Sequence, residues 1–424
     1  MKFKRKVLKN GLRVITVKMA ETPTVTVLVM VEAGSKYETK EKNGISHFLE
    51  HMCFKGTAKR PTALDISKEL DALGSHYNAF TGEEYTGYYA KASAKHAHQL
   101  LDVVSDLYLN QVFDEKEIEK EKGVITEEIN MYHDLPQRHV QELFMELLYG
   151  DQPVGWSIAG PKENITAMKK TDFISYRKDH YVAPATTVIV AGSFDEKTMT
   201  KEIAKRFSAI PDSENKKKLK VKEIQTKPEV KFETRTTDQS HLVLGVRAYP
   251  VGDKRAPAVR VLNAVLGAGM SSRLFQKLRE EMGVGYYVHS SYDAFTDHGI
   301  LSVSIGADVN RVNDVVSAIL NEFNRFKTEL VDKEELNKTK EYLAGTMYLG
   351  LESSDAFAEY YGFQEILCRP LKTPEEVIKE IKAVSAKDIQ KVAKEIFVTK
   401  NLNLAIVGPV KEEQNLKKLL KLVD

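Results

Sequence analysis

Apolar residues along this chain follow two periods. Short alternating or continuous runs, from Thr24 to Val31, Thr187 to Ala191, Ser240 to Val246, Leu301 to Ile305 and Leu402 to Val407, predict strands. Between them apolar residues recur at helical spacing, as in Ala258, Val259, Val261, Leu262 and Val265, and predict long amphipathic helices. Strands and helices interleaved in both halves predict an α+β fold, each domain a sheet covered by helices on one face. Periodicity leaves the strand order open.

The pattern also repeats. Asp102-Val103-Val104-Ser105 returns as Asp314-Val315-Val316-Ser317, an offset of 212 residues, and Val190-Ala191-Gly192 is echoed by Ile406-Val407-Gly408, an offset of 216. Offsets that agree and nearly bisect a 424-residue chain imply two duplicated domains and not a solenoid. From Pro211 to Lys222 the chain is polar and basic, and no apolar period resumes until about Val230, which predicts a linker. The expected organisation is a first domain over 1–212, a basic linker over 213–229 and a second domain over 230–424.

Composition narrows the partners. A hydrophobic content of 42% suffices for ordinary cores. The linker's lysine run lacks aromatic residues and the net charge is only +2, so a solvated linker is expected and no nucleic-acid partner. The basic start, Met1 to Lys9, has no apolar stretch after it, and no later segment is apolar enough to span a bilayer; no membrane partner is expected, and the protein is expected to be cytoplasmic. Two cysteines, Cys53 and Cys368, lie in different halves and imply no disulfide framework. Leu266 to Ser272 contains Gly267 and Gly269 but lacks the third glycine of a dinucleotide loop and follows a helical pattern, so no nucleotide cofactor is expected.

The candidate chemistry sits in His47-Phe48-Leu49-Glu50-His51. Ile45, Phe48, Leu49 and Met52 form an i, i+3, i+4, i+7 stripe that predicts a helix, with Asn43 as its N-cap and Gly56 as its stop. At about 100° per residue His47, Glu50 and His51 share the opposite face, so both imidazoles can reach one metal ion with a carboxylate beside it. A catalytic zinc needs a third protein ligand and an open position for water. The segment Glu115 to Ile129 is a candidate source: Asp114 can cap it, Ile118, Ile125, Ile129 and Tyr132 form its apolar stripe, and Glu121 and Glu128 share another face. Taken alone, so charge-rich a helix is the pattern of a solvated surface element.

Three stretches together carry a resemblance: His47 through Thr57, Asn78-Ala79-Phe80-Thr81 running on to Tyr89, and Glu119 through Ile129. The chain resembles the inverted-motif zinc peptidases of the pitrilysin (insulinase) family, closest to the mitochondrial processing peptidase branch. The resemblance implies two similar domains with mostly antiparallel sheets, a Zn2+ cofactor held by His47, His51 and Glu128, Glu50 as general base, and Glu121 as the carboxylate behind the ligands. Glu128, 77 residues after His51, matches the family's third ligand better than Glu127 does. The stretch from Asn78 to Tyr89 reads as a strand, and the resemblance makes Asn78, Ala79 and Phe80 the edge that pairs with an extended peptide substrate. In the second half Arg279 and Tyr286, seven apart, resemble the family's arginine and tyrosine that reach substrate across a closed chamber. The implied activity is a zinc endopeptidase acting on unfolded peptides. The other function class in the family is a non-catalytic assembly subunit that keeps the fold without the metal residues. A chain carrying both the zinc motif and the Arg279/Tyr286 element predicts a homodimer whose chains complete each other's sites, with a heterodimer of related subunits as the alternative arrangement.

Overall fold

A computed structural model describes residues 2–410 and 413–423. Those residues pack into two compact units, Met1–Asn130 with Trp156–Leu219 and Leu349–Thr373 in the first, and Met131–Gly155 with Lys220–Tyr348 and Pro374–Asp424 in the second. The chain from Pro211 to Pro228, which passes from the first unit to the second after Leu219, forms no helix or strand.

The first unit is built on a sheet of β1 (Lys4–Val7), β2 (Arg13–Lys18), β3 (Thr24–Val31), β4 (His76–Thr81), β5 (Thr86–Ser93) and β6 (Thr186–Gly192). Its order among the described residues is β1-β2-β6-β3-β5-β4. The second contains β7 (Glu229–Thr234), β8 (Gln239–Ala248), β9 (Gly285–Ala294), β10 (Gly299–Asp308) and β11 (Asn403–Gly408) in the order β7-β11-β8-β10-β9. The sheets are mixed and mostly antiparallel. Each has one parallel pair, β2 with β6 and β7 with β11, and every other pairing is antiparallel. If β1 is set aside, the two orders correspond strand for strand. The sequence repeats fall on equivalent elements: Asp102-Val103-Val104-Ser105 lies in the helix Ala97–Leu109 and Asp314-Val315-Val316-Ser317 in the helix Val312–Thr328, while the other pair ends β6 and β11.

Helices cover one face of each sheet as the sequence predicts, and one further helix covers the other face. In the first unit Val25, Val27, Val29, Val188 and Val190 face the main core with Leu100, Leu101 and Val104. Leu28, Met30 and Ile189 point the opposite way, to Gly362 of the helix Ser354–Ile366, where a β-carbon would lie 2.7 Å from the Met30 sulfur. In the second unit Val243, Ile300, Ala405 and Val407 meet Val140, Leu143, Phe144 and Leu148 of the helix Pro136–Tyr149. Each of these covering helices comes from the other half of the sequence. The central strands are therefore buried on both faces, which explains why β6 and β11 read as continuous apolar runs.

The stretch from Asn78 to Tyr89, expected as one strand, is a hairpin. Gly82 N–H donates to Tyr85 O at 2.8 Å and turns β4 back along β5, leaving β4 at the sheet edge. Phe357→Ala, which removes a buried ring from the covering helix Ser354–Ile366, should cost about 3–5 kcal/mol. A fall in the urea midpoint with unchanged helical content checks this; an unshifted midpoint would mean that the helix contributes little to the first unit.

Candidate active site

The motif helix, Ile45–Met52, is short and depends on its surroundings. Ile45, Phe48, Leu49 and Met52 are buried, and Phe48 meets Phe173 edge to face at 4.8 Å. Asn43 is not its cap. The N-terminal residue is Gly44, at φ 100°, and a β-carbon there would lie 2.6 Å from Ala159 O. The free N–H groups of Gly44 and Ser46 donate instead to the carboxylate of Glu38, each at 2.8 Å, and Asn43 Nδ2 donates to the same group at 2.9 Å. The helix also stops earlier than expected, at Met52, and Gly56 falls in the following turn. The apolar stripe of the helix was legible in sequence; its capping by a carboxylate six residues upstream of Gly44 was not.

The second helix, Glu115–Asp134, begins where expected, with Asp114 Oδ1 accepting from Lys116 N at 2.9 Å and Glu117 N at 3.2 Å. Ile118 and Ile125 are buried, and Glu121 is buried with them, 4% exposed. Glu128 turns its carboxylate to the histidines, whereas Glu127 is exposed and meets Asn130.

The structure brings together five of the predicted side chains. His51 Nδ1–H donates to Glu121 Oε1 at 2.9 Å. On the other side, His51 Nε2 lies 3.3 Å from His47 Nε2 and 3.4 Å from Glu128 Oε2, and His47 Nε2 lies 3.6 Å from the same oxygen. Tetrahedral zinc bound by imidazole nitrogens at about 2.0–2.1 Å places neighbouring ligand atoms about 3.3–3.4 Å apart, so the three donors already have nearly the separations that a shared ion requires. Glu50 sits on the same helix face, packed toward β4, with the Thr81 hydroxyl near its carboxylate.

The electrostatics are those of a buried anionic cluster. Burial and the nearby His51 depress His47 to about 4. Burial acts on His51 in the same direction but is outweighed by Glu121 and Glu128, which raise it to about 9. Burial would raise Glu121, yet His51 and Lys55, whose Nζ is 2.6 Å from Glu121 Oε2, hold its carboxyl below the ordinary range. Glu50 is pushed up by burial, with Thr81 and His51 pulling the other way. Lys55 escaped the sequence reading because it follows the helix end, where wheel geometry no longer applies.

Asn78, Ala79 and Phe80 lie on β4 at the sheet edge. Ala79 N–H donates to Asn78 Oδ1 at 2.9 Å, so this edge donor is occupied by a local side chain. Arg279 and Tyr286 belong to the second unit, on the helical turn Phe275–Glu281 and at the start of edge strand β9. Arg279 Nη1 donates to the carbonyls of Gly285, at 3.0 Å, and Tyr286, fixing the arginine beside the tyrosine. Tyr286 is 78% exposed, whereas Tyr287 turns inward to His241 at 3.1 Å.

The model of the family described as insulinase (peptidase family M16) matches residues 13–162, and that of the peptidase M16 inactive domain matches residues 167–343. The uncharacterized zinc protease YmxG of Bacillus subtilis is 35% identical over 96% of this chain and 98% of its own length. This chain belongs to the insulinase-type M16 peptidase family. An uncharacterized zinc protease of Rickettsia felis is similar to this M16 member at 33% identity over 95% of the chain and 96% of its own. Among solved structures, a protease from Helicobacter pylori has the same fold at a TM-score of 0.89, with 22% identity over 96% of this chain and 99% of that one. A peptidase M16 inactive domain from Pseudomonas fluorescens reaches the same TM-score of 0.89 at 16% identity, over 98% of this chain and 100% of that one.

A second group of metal-capable atoms, His133, His139 and Glu233, does not fit an ion in the same way. The Arg235 guanidinium already donates to Glu233 Oε1 at 2.6 Å and to His133 Nε2 at 2.7 Å, which occupies the one lone pair of that nitrogen, and Glu233 Oε2 is paired with His139 Nε2 at 2.7 Å.

The two carboxylates around His51 generate a prediction for the metal-free protein. Its imidazole should stay protonated until about pH 9 while that of His47 stays neutral down to about pH 4, read by NMR titration of the two rings. Because the folded value of His51 is raised, its contribution to stability is complete below the unfolded value of about 6.5 and is lost as pH rises through about 9. A His51 midpoint near 6.5 would show that Glu121 and Glu128 do not act on it together.

Proposed function

We propose that this M16 member is a zinc-dependent endopeptidase that cleaves extended, unfolded peptides bound as an added strand along β4. The observation that carries the reading is the convergence of His47 Nε2, His51 Nε2 and Glu128 Oε2 within 3.3–3.6 Å, with Glu50 on the same helix face. His47, His51 and Glu128 hold the Zn2+. When bound, the ion supplies a Lewis acid and a water of lowered pKa. Glu121 fixes the His51 ring through Nδ1–H, so that the Nε2 lone pair points to the ion, and Lys55 steadies Glu121 in turn. Glu50 accepts the proton of the attacking water and passes it to the leaving amine; its raised pKa brings it closer to working pH, where a base that must also act as an acid is most effective.

Substrate lies along the free edge of β4, where Ala79 N–H becomes available to a peptide carbonyl as the Asn78 amide turns away. Main-chain pairing of this kind gives affinity with weak sequence preference. Arg279 and Tyr286 donate to the substrate and to the oxyanion that develops at the scissile carbonyl. A chain with two such units makes half of the family's closed chamber, so the working form is a homodimer in which Arg279 and Tyr286 of one chain serve the zinc site of the other.

Glu50→Gln should retain about one zinc per chain and lose peptidase activity, because the base is removed while the ligands stay. Glu128→Gln should weaken zinc binding by roughly tenfold or more, and Glu127→Gln should leave it unchanged. Metal analysis and turnover of an unstructured peptide check all three; loss of zinc from Glu127→Gln with retention in Glu128→Gln would reverse the ligand assignment. The dimer has its own test. Inactive Glu50→Gln chains mixed in equal amounts with inactive Tyr286→Phe chains should regain activity at about a quarter of the sites, since random pairing leaves that share with neither lesion. No rescue after verified subunit exchange would rule the shared site out.

A further inference from the structure

One buried segment between β3 and the motif helix bonds to both parts of the proposed machinery. At its start the chain runs against the β4–β5 turn so closely that a β-carbon on Gly34 would lie 2.2 Å from Gly82 O. Ser35 N–H donates to Gly82 O at 3.3 Å, Lys36 N–H to Glu83 O at 2.9 Å, and the Thr86 hydroxyl to Ala33 O at 3.0 Å. Lys36 Nζ then donates to Glu84 Oε1 at 2.7 Å, both side chains being 1% exposed. Two residues later the chain points the other way: Glu38, 6% exposed, receives Gly44 N–H, Ser46 N–H and Asn43 Nδ2 at the start of the motif helix.

Buried charges are costly, and each of these is matched by partners of the right kind. A buried ion pair gives little net stability compared with apolar residues of the same size, so Lys36 and Glu84 have more to offer in fixing geometry than in stabilising the fold. Glu38 likewise satisfies N–H groups that an eight-residue helix has no internal means to satisfy, and its negative charge suits that helix end.

We propose that Lys36 and Glu38 are positioning residues of the peptidase: Lys36 fixes the substrate strand through the β4–β5 turn, Glu38 fixes the metal-binding helix, and the short run of chain that joins them through Tyr37 sets the distance from strand to metal. This rests on the zinc-peptidase reading above. Both residues lie outside β4 and outside the His47, His51 and Glu128 donor group.

The two ends of the brace should fail separately. Glu38→Gln replaces one acceptor oxygen by a donor facing other donors, and should weaken zinc binding by about tenfold or more while leaving KM within about threefold. The double variant Lys36→Met/Glu84→Leu removes the buried ion pair and leaves Lys218, whose Nζ lies 3.6 Å from Glu84 Oε1 and which is partly exposed, to turn to solvent; it should keep zinc affinity and raise KM by about tenfold. Phe357→Ala serves as the control for lost stability alone and should change neither zinc affinity nor KM. Backbone hydrogen exchange gives a readout independent of activity: Glu38→Gln should speed exchange in 45–52 by about tenfold and spare 76–93, and the double variant should do the reverse. Uniform changes across both regions in either variant, or a zinc affinity in Glu38→Gln equal to that of the unaltered chain, would overturn the brace. Absence of zinc from the unaltered chain, with the exchange split intact, would instead remove the peptidase reading alone.

Discussion

His51 lies between two carboxylates, donating from Nδ1 to Glu121 at 2.9 Å and facing Glu128 across Nε2 at 3.4 Å. With His47 depressed to about 4 and therefore neutral, the metal-free group carries one positive ring between two negative side chains, and the His47 Nε2 lone pair and the Glu128 carboxylate face the protonated His51 Nε2. Such an arrangement is held only against electrostatic cost, because donors at 3.3–3.6 Å repel unless a proton or a cation lies between them. The proton on His51 meets part of that cost in the free chain. A divalent ion would meet it more completely, and the rest of the first unit can be understood as what keeps the donors close enough for one to bind.

Two helices carry those donors, and neither fixes its own position. Ile45–Met52 is too short to persist alone and is set by Phe48 against Phe173, by the Ser46 hydroxyl against Tyr176 at 2.7 Å, and by Glu38 at its N-terminus. Glu115–Asp134 is long and mostly polar, and docks through Ile118, Ile125 and the buried Glu121. The contrast with His133, His139 and Glu233 is instructive. There the donors also come within reach of each other, but Arg235 supplies the positive charge permanently, and the group is a closed polar network. Lys55, by comparison, neutralises only Glu121, on the side away from the Nε2 atoms.

The duplicated sheets show the same economy at a larger scale. Corresponding strand orders and the repeated segments on matching helices and strands identify one architecture used twice, while His47, His51, Glu128 and Glu121 occur in the first unit. The second unit places an exposed tyrosine and a carbonyl-bound arginine at its own edge strand. Both sheets are covered on the second face by a helix from the other half of the sequence, which ties the folding of each unit to chain that lies far away in sequence.

The sequence by itself determined the elements with strong periods and which polar side chains share one helix face. The strand at Thr24–Val31, the helix face bearing His47, Glu50 and His51, and the cap at Asp114 depend on neighbours within one or two turns, and such neighbours are visible in the chain. Helical phase also placed Glu121 and Glu128 on one face, although only resemblance singled out Glu128 from Glu127 as a ligand candidate. Tertiary structure decided what depends on contacts between distant segments. Glu38 replaces the expected Asn43 cap, the strand expected from Asn78 to Tyr89 turns at Gly82, and Lys55 becomes the counter-charge of Glu121. The second faces of both sheets are likewise filled from the other half of the chain, for which an alternating or continuous apolar strand gives no address. Periodicity reports which side of an element is buried, but the partner on that side is chosen by packing, and packing joins residues that no sequence spacing brings together.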